Sequence, residues 1–316
     1  MYIRKISIIT PSLNRVDMLE EVIQNVAMQQ YPDFEHIVID GGSTDGTQEM
    51  VKKYPHIRFE SGSDRGMYDA LNKGLDLANG EIIGFLNTDD YYAENIFLDV
   101  ASKFKDESAM AVAGCAAVFH EPSKGKTEIV GRYSPNEETL LECSTIGSNY
   151  FNAWFFRNTL FKKIGYFDAN YRIAGDRDFM LRFALSNLCY ATIDKLVYRY
   201  RQHPGSLTFH ATDERRELSA REHLIMTNYY LNNEKLSNLE RKLLVELHTR
   251  ETVEMAARSL RVWNFGKSVY YFVEGIRSDF LWPLKFVRLA ILLGIKIVIV
   301  IAKKVVNGLG GSIVKI

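Results

Sequence analysis

The feature that most limits how this chain can fold is a three-part word repeated through its opening third: an apolar run, a polar turn, then an amphipathic helix. Ile6-Ser7-Ile8-Ile9 leads into Pro11, Ser12 and Asn14, after which Leu19, Val22, Ile23 and Val26 recur at helical spacing. Pro11 reads as the stop of that first strand, and Ser12 and Asn14 as caps for the helix. His36-Ile37-Val38-Ile39 ends at Asp40 and breaks into Gly41-Gly42-Ser43-Thr44-Asp45-Gly46-Thr47, with Met50 and Val51 on the next helix. Ile57 to Glu60 gives a third strand, Met67 to Ala78 a third helix, and Glu81 to Leu86 a fourth strand. Strands alternating with helices at this spacing predict βαβ units, and so an α/β fold with a mainly parallel, Rossmann-like sheet flanked by helices.

Ligands of such sheets bind beyond the carboxyl ends of the strands. Thr10, Ser12, Asp40, Ser43, Asp64, Asp89 and Asp90 all fall at or just past those ends. The fourth strand is the most pointed case, because Gly84-Phe85-Leu86-Asn87-Thr88 runs straight into Asp89-Asp90. Neighbouring carboxylates repel, so they are easiest to keep together where a divalent cation or a ligand hydroxyl lies between them. That pattern suggests a metal–diphosphate site. The alternative has Asp89 capping a helix that begins near Ala93, with Asp90 in solvent; taken alone, the pair favours this alternative.

Further on, a helix is expected to about Phe104, a strand over Ala109 to Phe119, a hairpin or loop over Glu121 to Pro135, and a polar acceptor-side loop over Ser144 to Asn149. Trp154-Phe155-Phe156-Arg157 is a compact aromatic strand. Gly175-Asp176-Arg177-Asp178 then opens a helix carrying Phe179, Leu181, Phe183 and Leu185. Asp176 and Asp178 both gain from the helix dipole there. A carboxylate fixed at a helix start and lining a pocket also suits a base that takes a proton from a hydroxyl. The strand from Val197 leaves into a basic loop with Arg201 and His203, and Pro204 holds His203 extended. These cations are either surface residues of a turn or contacts to a diphosphate.

Thirty-nine basic residues balance thirty-nine acidic ones, which gives no electrostatic sign of a nucleic-acid partner. Cys115, Cys143 and Cys189 lack the paired spacing of a zinc or redox motif, and the first residues lack a signal-peptide pattern. A cytoplasmic setting is the expectation. Residues 208–279 read as a charged helical extension that packs on the rest of the chain or on a second subunit of a homo-oligomer. Residues 280–316 are apolar and basic, with Lys285, Arg288, Lys296 and Lys303 on one helical stripe. Lys296 interrupts a spanning length. The tail therefore reads as a helix lying on an anionic leaflet, at the inner face of the cytoplasmic membrane, with a dimerisation helix as the alternative.

Taken in order, these words resemble the family 2 glycosyltransferases, inverting enzymes of GT-A fold, and in particular bacterial members that build surface polysaccharides. The resemblance rests on Thr10-Pro11-Ser12-Leu13-Asn14-Arg15, on Asp40 to Thr47, and on Ser63-Asp64-Arg65-Gly66-Met67-Tyr68-Asp69-Ala70-Leu71-Asn72-Lys73-Gly74. Leu86-Asn87-Thr88-Asp89-Asp90 and Gly165-Tyr166-Phe167-Asp168 followed by Gly175 to Asp178 extend it over residues 5–207. It implies a GT-A catalytic domain at 1–207, with a nucleotide-binding half at 1–105 and an acceptor half at 106–207.

By the same resemblance Thr10, Pro11, Asp40 and Asp64 contact the nucleoside, and Ser12, Asn14, Ser43 and Asn87 line the same sugar-nucleotide site. Asp89 faces the ribose or sugar, Asp90 binds Mn²⁺ or Mg²⁺, and Asp176 is the catalytic base with Asp178 in reserve. Arg65, Lys73, Arg201 and His203 are candidate phosphate contacts, His203 first among them. Two positions depart from the family pattern: Phe151-Asn152 stands where relatives often have His-Gln, and Gly175-Asp176 replaces Glu-Asp. The implied function is transfer from a UDP-linked sugar, with inversion, to a hydroxyl of a lipid-linked or growing glycan. A sugar nucleotidyltransferase would need a Gly-rich phosphate loop with Arg near the first strand, which Thr10 to Arg15 does not supply. A sugar-nucleotide-binding scaffold would need Asp90 or Asp176 to be dispensable.

Overall fold

The computed structural model describes residues 4–123, 126–203 and 212–292. The chain divides between residues 211 and 212 into two compact units.

In the first unit, β1 (Ile6–Ser12), α1 (Val16–Ala27), β2 (Phe34–Asp40), α2 (Thr47–Val51), β3 (Ile57–Ser61), α3 (Met67–Leu77) and β4 (Ile82–Phe85) follow the expected alternation. The strands β3, β2, β1 and β4 pair in parallel in that order. Leu19, Val22, Ile23 and Val26 of α1 are the residues that turn inward, as their spacing predicts. Pro11 does not end β1. The pairing of β1 with β4 stops at Ile9 while that with β2 continues to Ser12, so Pro11 lies beyond the reach of β4 and its missing N–H breaks no ladder there.

The second half of the unit departs from the parallel plan. After β5 (Tyr91–Tyr92) and α4 (Ile96–Lys103) come β6 (Ala111–Ser123), β7 (Lys126–Tyr133), α5 (Leu140–Ser144), β8 (Trp154–Arg157), α6 (Asn158–Ile164), α7 (Gly175–Leu185) and β9 (Tyr190–Gln202). Strand β8 enters antiparallel between β4 and β6, β7 makes a hairpin with β6, and β9 runs parallel to β6. The result is a mixed nine-stranded sheet. A continuous apolar run such as Trp154 to Phe156 shows burial on both faces but not direction, so the antiparallel insertion has no signature in the sequence.

Strand β5 corrects the helix-cap reading of Asp89. Tyr91 and Tyr92 pair with Arg199 and Tyr198 of β9, and the helix begins only at Ile96, after Asn95 in a left-handed conformation. Gly84 makes this possible, because a Cβ there would meet the ring of Phe155 at 2.6 Å and the hydroxyl of Tyr92 at 2.7 Å. With that space open, the Tyr92 hydroxyl donates to the Phe85 carbonyl at 2.9 Å.

Beneath the nucleotide half, His36 of β2 is buried and its Nε2 lies 2.9 Å from Thr10 Oγ1. Burial, reinforced by the charge of His56, pushes its pKa down to about 3. An unfolded chain protonates this imidazole near pH 6.5, so its contribution to stability is complete above that value and is lost as pH falls toward 3. Between pH 7 and 5 the loss is about 2 kcal/mol. Urea unfolding at the two pH values should show it, and His36→Leu should lose that pH dependence; an unchanged difference in the variant would contradict the assignment.

The second unit contains α8 (Asp213–Leu231), α9 (Asn238–Arg261), α10 (Phe265–Ser278) and α11 (Trp282–Leu292). Thr212 caps α8, and Ser237 with Glu240 forms a capping box on α9. Leu224, Val253, Ala256, Tyr271, Trp282 and Phe286 build its core, and the Trp282 indole donates to Thr252 Oγ1 at 2.8 Å. The beginning of the segment expected to lie on a membrane is thus partly internal: Trp282 and Phe286 face the core. Lys296 and Lys303 of the predicted stripe lie outside the described residues. Among the described residues, no helix is long and apolar enough to cross a membrane.

Candidate active site

The two first loops of the sheet edge are tied to each other. Asp40 is fully buried at the end of β2; its Oδ2 accepts from Gly42 N, Ser43 N and Ser61 Oγ at 3.2, 2.9 and 2.6 Å, and its Oδ1 accepts from Ser43 Oγ. In this arrangement its carboxylate shapes the turn. Ser43 Oγ in turn accepts from Asn14 N at 2.7 Å, and Asn14 Oδ1 accepts from Thr44 N at 2.9 Å. Asn14 is no helix cap: it sits at φ 51°, and α1 is capped across the gap by Asp45, whose Oδ2 accepts from Val16 N at 3.0 Å.

Thr10 is turned down against His36, while the buried Ser12 Oγ has no hydrogen-bond partner. What this edge leaves open is Asp64, whose Oδ2 would lie 2.8 Å from a Cβ on Gly41, beside the exposed side chain of Leu13. Arg65 and Lys73 are not gathered into a phosphate site. Arg65 binds Asp69 at 3.0 Å, and Lys73 reaches Asp69 at 3.3 Å and the Ser63 carbonyl at 2.9 Å.

The Asp pair is split by burial. Asp90 is 1% exposed. Its Oδ2 accepts from Tyr198 Oη at 2.6 Å and from Asn87 Nδ2 at 3.2 Å, and its Oδ1 from Arg201 N at 2.8 Å. Burial, and then the charge of Asp89, push its carboxyl up to about 8. Asn152 Nδ2 donates to the same Tyr198 hydroxyl at 3.0 Å, which links the acceptor half to the Asp pair. Phe151 packs instead against Phe85, Phe156, Phe167 and Phe179 in the core.

Asp89 faces the other way. Its Oδ2 shares a hydrogen bond with His203 Nε2 at 2.9 Å, and His203 lines a cleft of about 470 Å³ together with Met18, His120, Glu121, Val130, Arg201 and Gln202. The Arg201 side chain is drawn off this pair: it stacks over Tyr91 at 4.8 Å and binds Glu21 at 2.9 Å.

Asp176 stands in the first turn of α7, where Tyr68 Oη lies 3.2 Å from its Oδ1 and Arg177 N donates to the same oxygen at 2.7 Å. The Tyr68 hydroxyl is also 2.6 Å from the Ile173 carbonyl. The Tyr68 hydroxyl has one proton to share between the Ile173 carbonyl and the Asp176 carboxylate. Gly175 explains the missing Glu, since a Cβ there would meet the Tyr68 ring at 2.7 Å. Asp178 is buried and bound to Arg182 Nε at 3.0 Å, and Arg182 also donates to the Ile164, Gly165 and Tyr166 carbonyls. Arg177 donates to the Thr145 and Gly147 carbonyls, which fixes the loop after α5.

Tyr68 and Tyr198 carry roles that motif reading did not assign. For Tyr68 the signal was its place four residues after Asp64; for Tyr198, its alternation with Val197 on a strand. Tyr68→Phe is expected to lower kcat about tenfold, the value of one hydrogen bond to a charged group, with donor KM and melting temperature held. A matching rise in KM would show a role in binding instead.

A mixed sheet with acidic residues at its carboxyl edge and a carboxylate at a facing helix start is the arrangement of GT-A glycosyltransferases, and the solved structures agree. TarS of S. aureus superposes with a TM-score of 0.66 at 19% identity, covering 90% of this chain, which spans about half (53%) of that one. Its 1–349 fragment in complex with UDP-GlcNAc gives 0.64 at 22% identity, covering 87% and 81% of the two chains. The mannosyltransferase PcManGT of Pyrobaculum calidifontis, in complex with GDP-Man and Mn²⁺, gives 0.58 at 17% identity, covering 96% and 84%. In sequence, the chain is 32% identical over 189 residues to a PGL/p-HBAD biosynthesis glycosyltransferase of Mycobacterium bovis, 56% of this chain and 68% of that one. The model of glycosyl transferase family 2 matches residues 7–165, and the chain belongs to that family.

Proposed function

We propose that this chain transfers a sugar from a UDP-linked donor, with inversion, to a hydroxyl of a lipid-linked or growing glycan in cell-surface polysaccharide assembly. The observation that supports the reading is a pair of carboxylates with different surroundings: Asp89 is hydrogen-bonded to His203, which lines the cleft, and Asp176 stands at the start of α7 beside Tyr68. The tied loops at 12–14 and 40–45, with Asp64 and Leu13, supply the surface for a nucleoside. The UDP-GlcNAc complex of a protein of the same fold favours a UDP-linked donor.

A divalent cation fits Asp89 and His203 better than Asp90. Asp89 Oδ2 and His203 Nε2 are joined by a hydrogen bond at 2.9 Å, so a cation would take the place of the proton they share, and among the described residues no cluster of three or more such side chains stands ready for a metal. Asp90 could reach a cation only by releasing Tyr198, Asn87 or the Arg201 N–H. Two protein donors are enough when diphosphate oxygens complete the shell, and an imidazole suits Mn²⁺ better than Mg²⁺. Bound there, the cation would neutralise charge on the nucleoside diphosphate as it leaves. In this assignment Asp90 holds Asp89 and the start of the His203 loop in place through Tyr198 and the Arg201 backbone.

Asp176 takes the proton from the acceptor hydroxyl. The acceptor oxygen forms its bond to the anomeric carbon as the bond to the diphosphate oxygen breaks, the electron pair leaves with UDP, and attack opposite the leaving group inverts the configuration. Release of nucleoside diphosphate from a panel of sugar nucleotides, with Mn²⁺, Mg²⁺ or chelator, tests the reading. Slow, cation-dependent hydrolysis of one UDP-sugar is expected. Tight binding without turnover, even with acceptors supplied, would replace the transferase by a scaffold.

A further inference from the structure

Helix α10 carries a second, exposed apolar row beside its buried side. Its inner side, Ser268, Tyr271 and Gly275, is buried, and Gly275 is close enough to the Trp282 indole that a Cβ would meet it at 1.9 Å. Its outer side should then be polar, and it is not. Phe265, Val269, Val273 and Ile276 follow one another at helical spacing and are all exposed, Val269 by 62%. Trp263 continues the stripe before the helix and Phe280, 90% exposed, after it. Large apolar side chains on the surface are ordinary when scattered, but a continuous row of them marks a docking face.

Charge selects the occupant. From Leu281 to Ile316 there are six basic residues and no acidic one. Arg277, paired with Glu274 at 3.1 Å, Lys285, paired with Asp279 at 2.7 Å, and Arg288 are exposed close in sequence to the end of α10. A second copy docked here would bring two acid-free cationic stretches together, whereas anionic lipid headgroups meet them with opposite charge. The row is rich in aromatic side chains, which favour the headgroup level, and the 14 residues of α10 are too few to span a bilayer. We propose that the outer face of α10, from Trp263 to Phe280, lies in the interface of an anionic membrane. This moves the membrane contact one helix earlier than the 280–316 tail and holds whether or not the reaction proposed above is correct.

Flotation of the full chain with vesicles of phosphatidylglycerol and phosphatidylcholine, against vesicles of phosphatidylcholine alone, tests the face. The chain should float with the anionic vesicles, and high salt should release it. The triple variant Phe265→Ser, Val269→Ser, Val273→Ser should lose at least tenfold in partitioning while keeping its melting temperature and its rate of donor hydrolysis in solution. The single variant Val269→Asp, milder for the fold, should lose in the same direction. The proposal is overturned if the parent ignores both vesicles, as it would with residues 293–316 or a second copy covering the row. It is also overturned if the variants float as well as the parent, which would leave binding to the tail alone.

Discussion

Asp176→Asn should leave donor binding and folding intact and reduce sugar transfer by about a hundredfold to ten-thousandfold, the range for loss of a positioned proton acceptor. The substitution keeps the shape and the contacts with Tyr68 and Arg177 N but removes the basic oxygen. Asp178→Asn is the informative contrast. Asp178 is buried against Arg182, which ties α7 to the carbonyls of residues 164–166, so its loss should appear as instability of about 3 kcal/mol or more. Transfer by the Asp178 variant should persist at temperatures where it is folded. If Asp176→Asn still transferred sugar, and folded Asp178→Asn did not, the base would be Asp178 and the reading of α7 wrong.

The second large effect belongs to Asp89. Asp89→Ala should weaken cation-dependent binding of UDP by about 3 kcal/mol, roughly a hundredfold, and abolish the response of donor hydrolysis to Mn²⁺. Asp90→Asn fills the same buried space and leaves the Asp89 and His203 side chains where they are, so its Mn²⁺ response should survive at a reduced rate. The reverse outcome, a metal response lost in Asp90→Asn and kept in Asp89→Ala, would return the cation to Asp90.

The pattern of apolar spacing was enough to place the first four strands and the helices between them, because each has one face to bury and little choice of which. Leu19, Val22, Ile23 and Val26 could hardly serve any other element. Direction in the second half was hidden, since a strand buried on both faces reads alike whether parallel or antiparallel; β8 is the case in point. The motifs gathered these residues at one sheet edge, but gave no sign of which of their carboxylates would be buried. Asp40 and Asp90 look like Asp64 and Asp89 in sequence and differ only in burial, set by Ser43 and Ser61 around one and by Tyr198 and Arg201 N around the other. Such partners lie up to 111 residues away in the chain and leave no local signal. Gly175 was legible as a departure, and its reason, the ring of Tyr68, only in three dimensions.

Calorimetric titration of UDP into the full chain, with Mn²⁺ and then with chelator, tests the central claim most directly, because it asks only whether this sheet edge is a cation-assisted nucleotide site. Saturable binding with Mn²⁺ is expected, collapsing on chelation and in Asp89→Ala and unchanged in Asp176→Asn. Binding of UDP that ignores both the chelator and Asp89→Ala, or no binding by a folded chain, would contradict it.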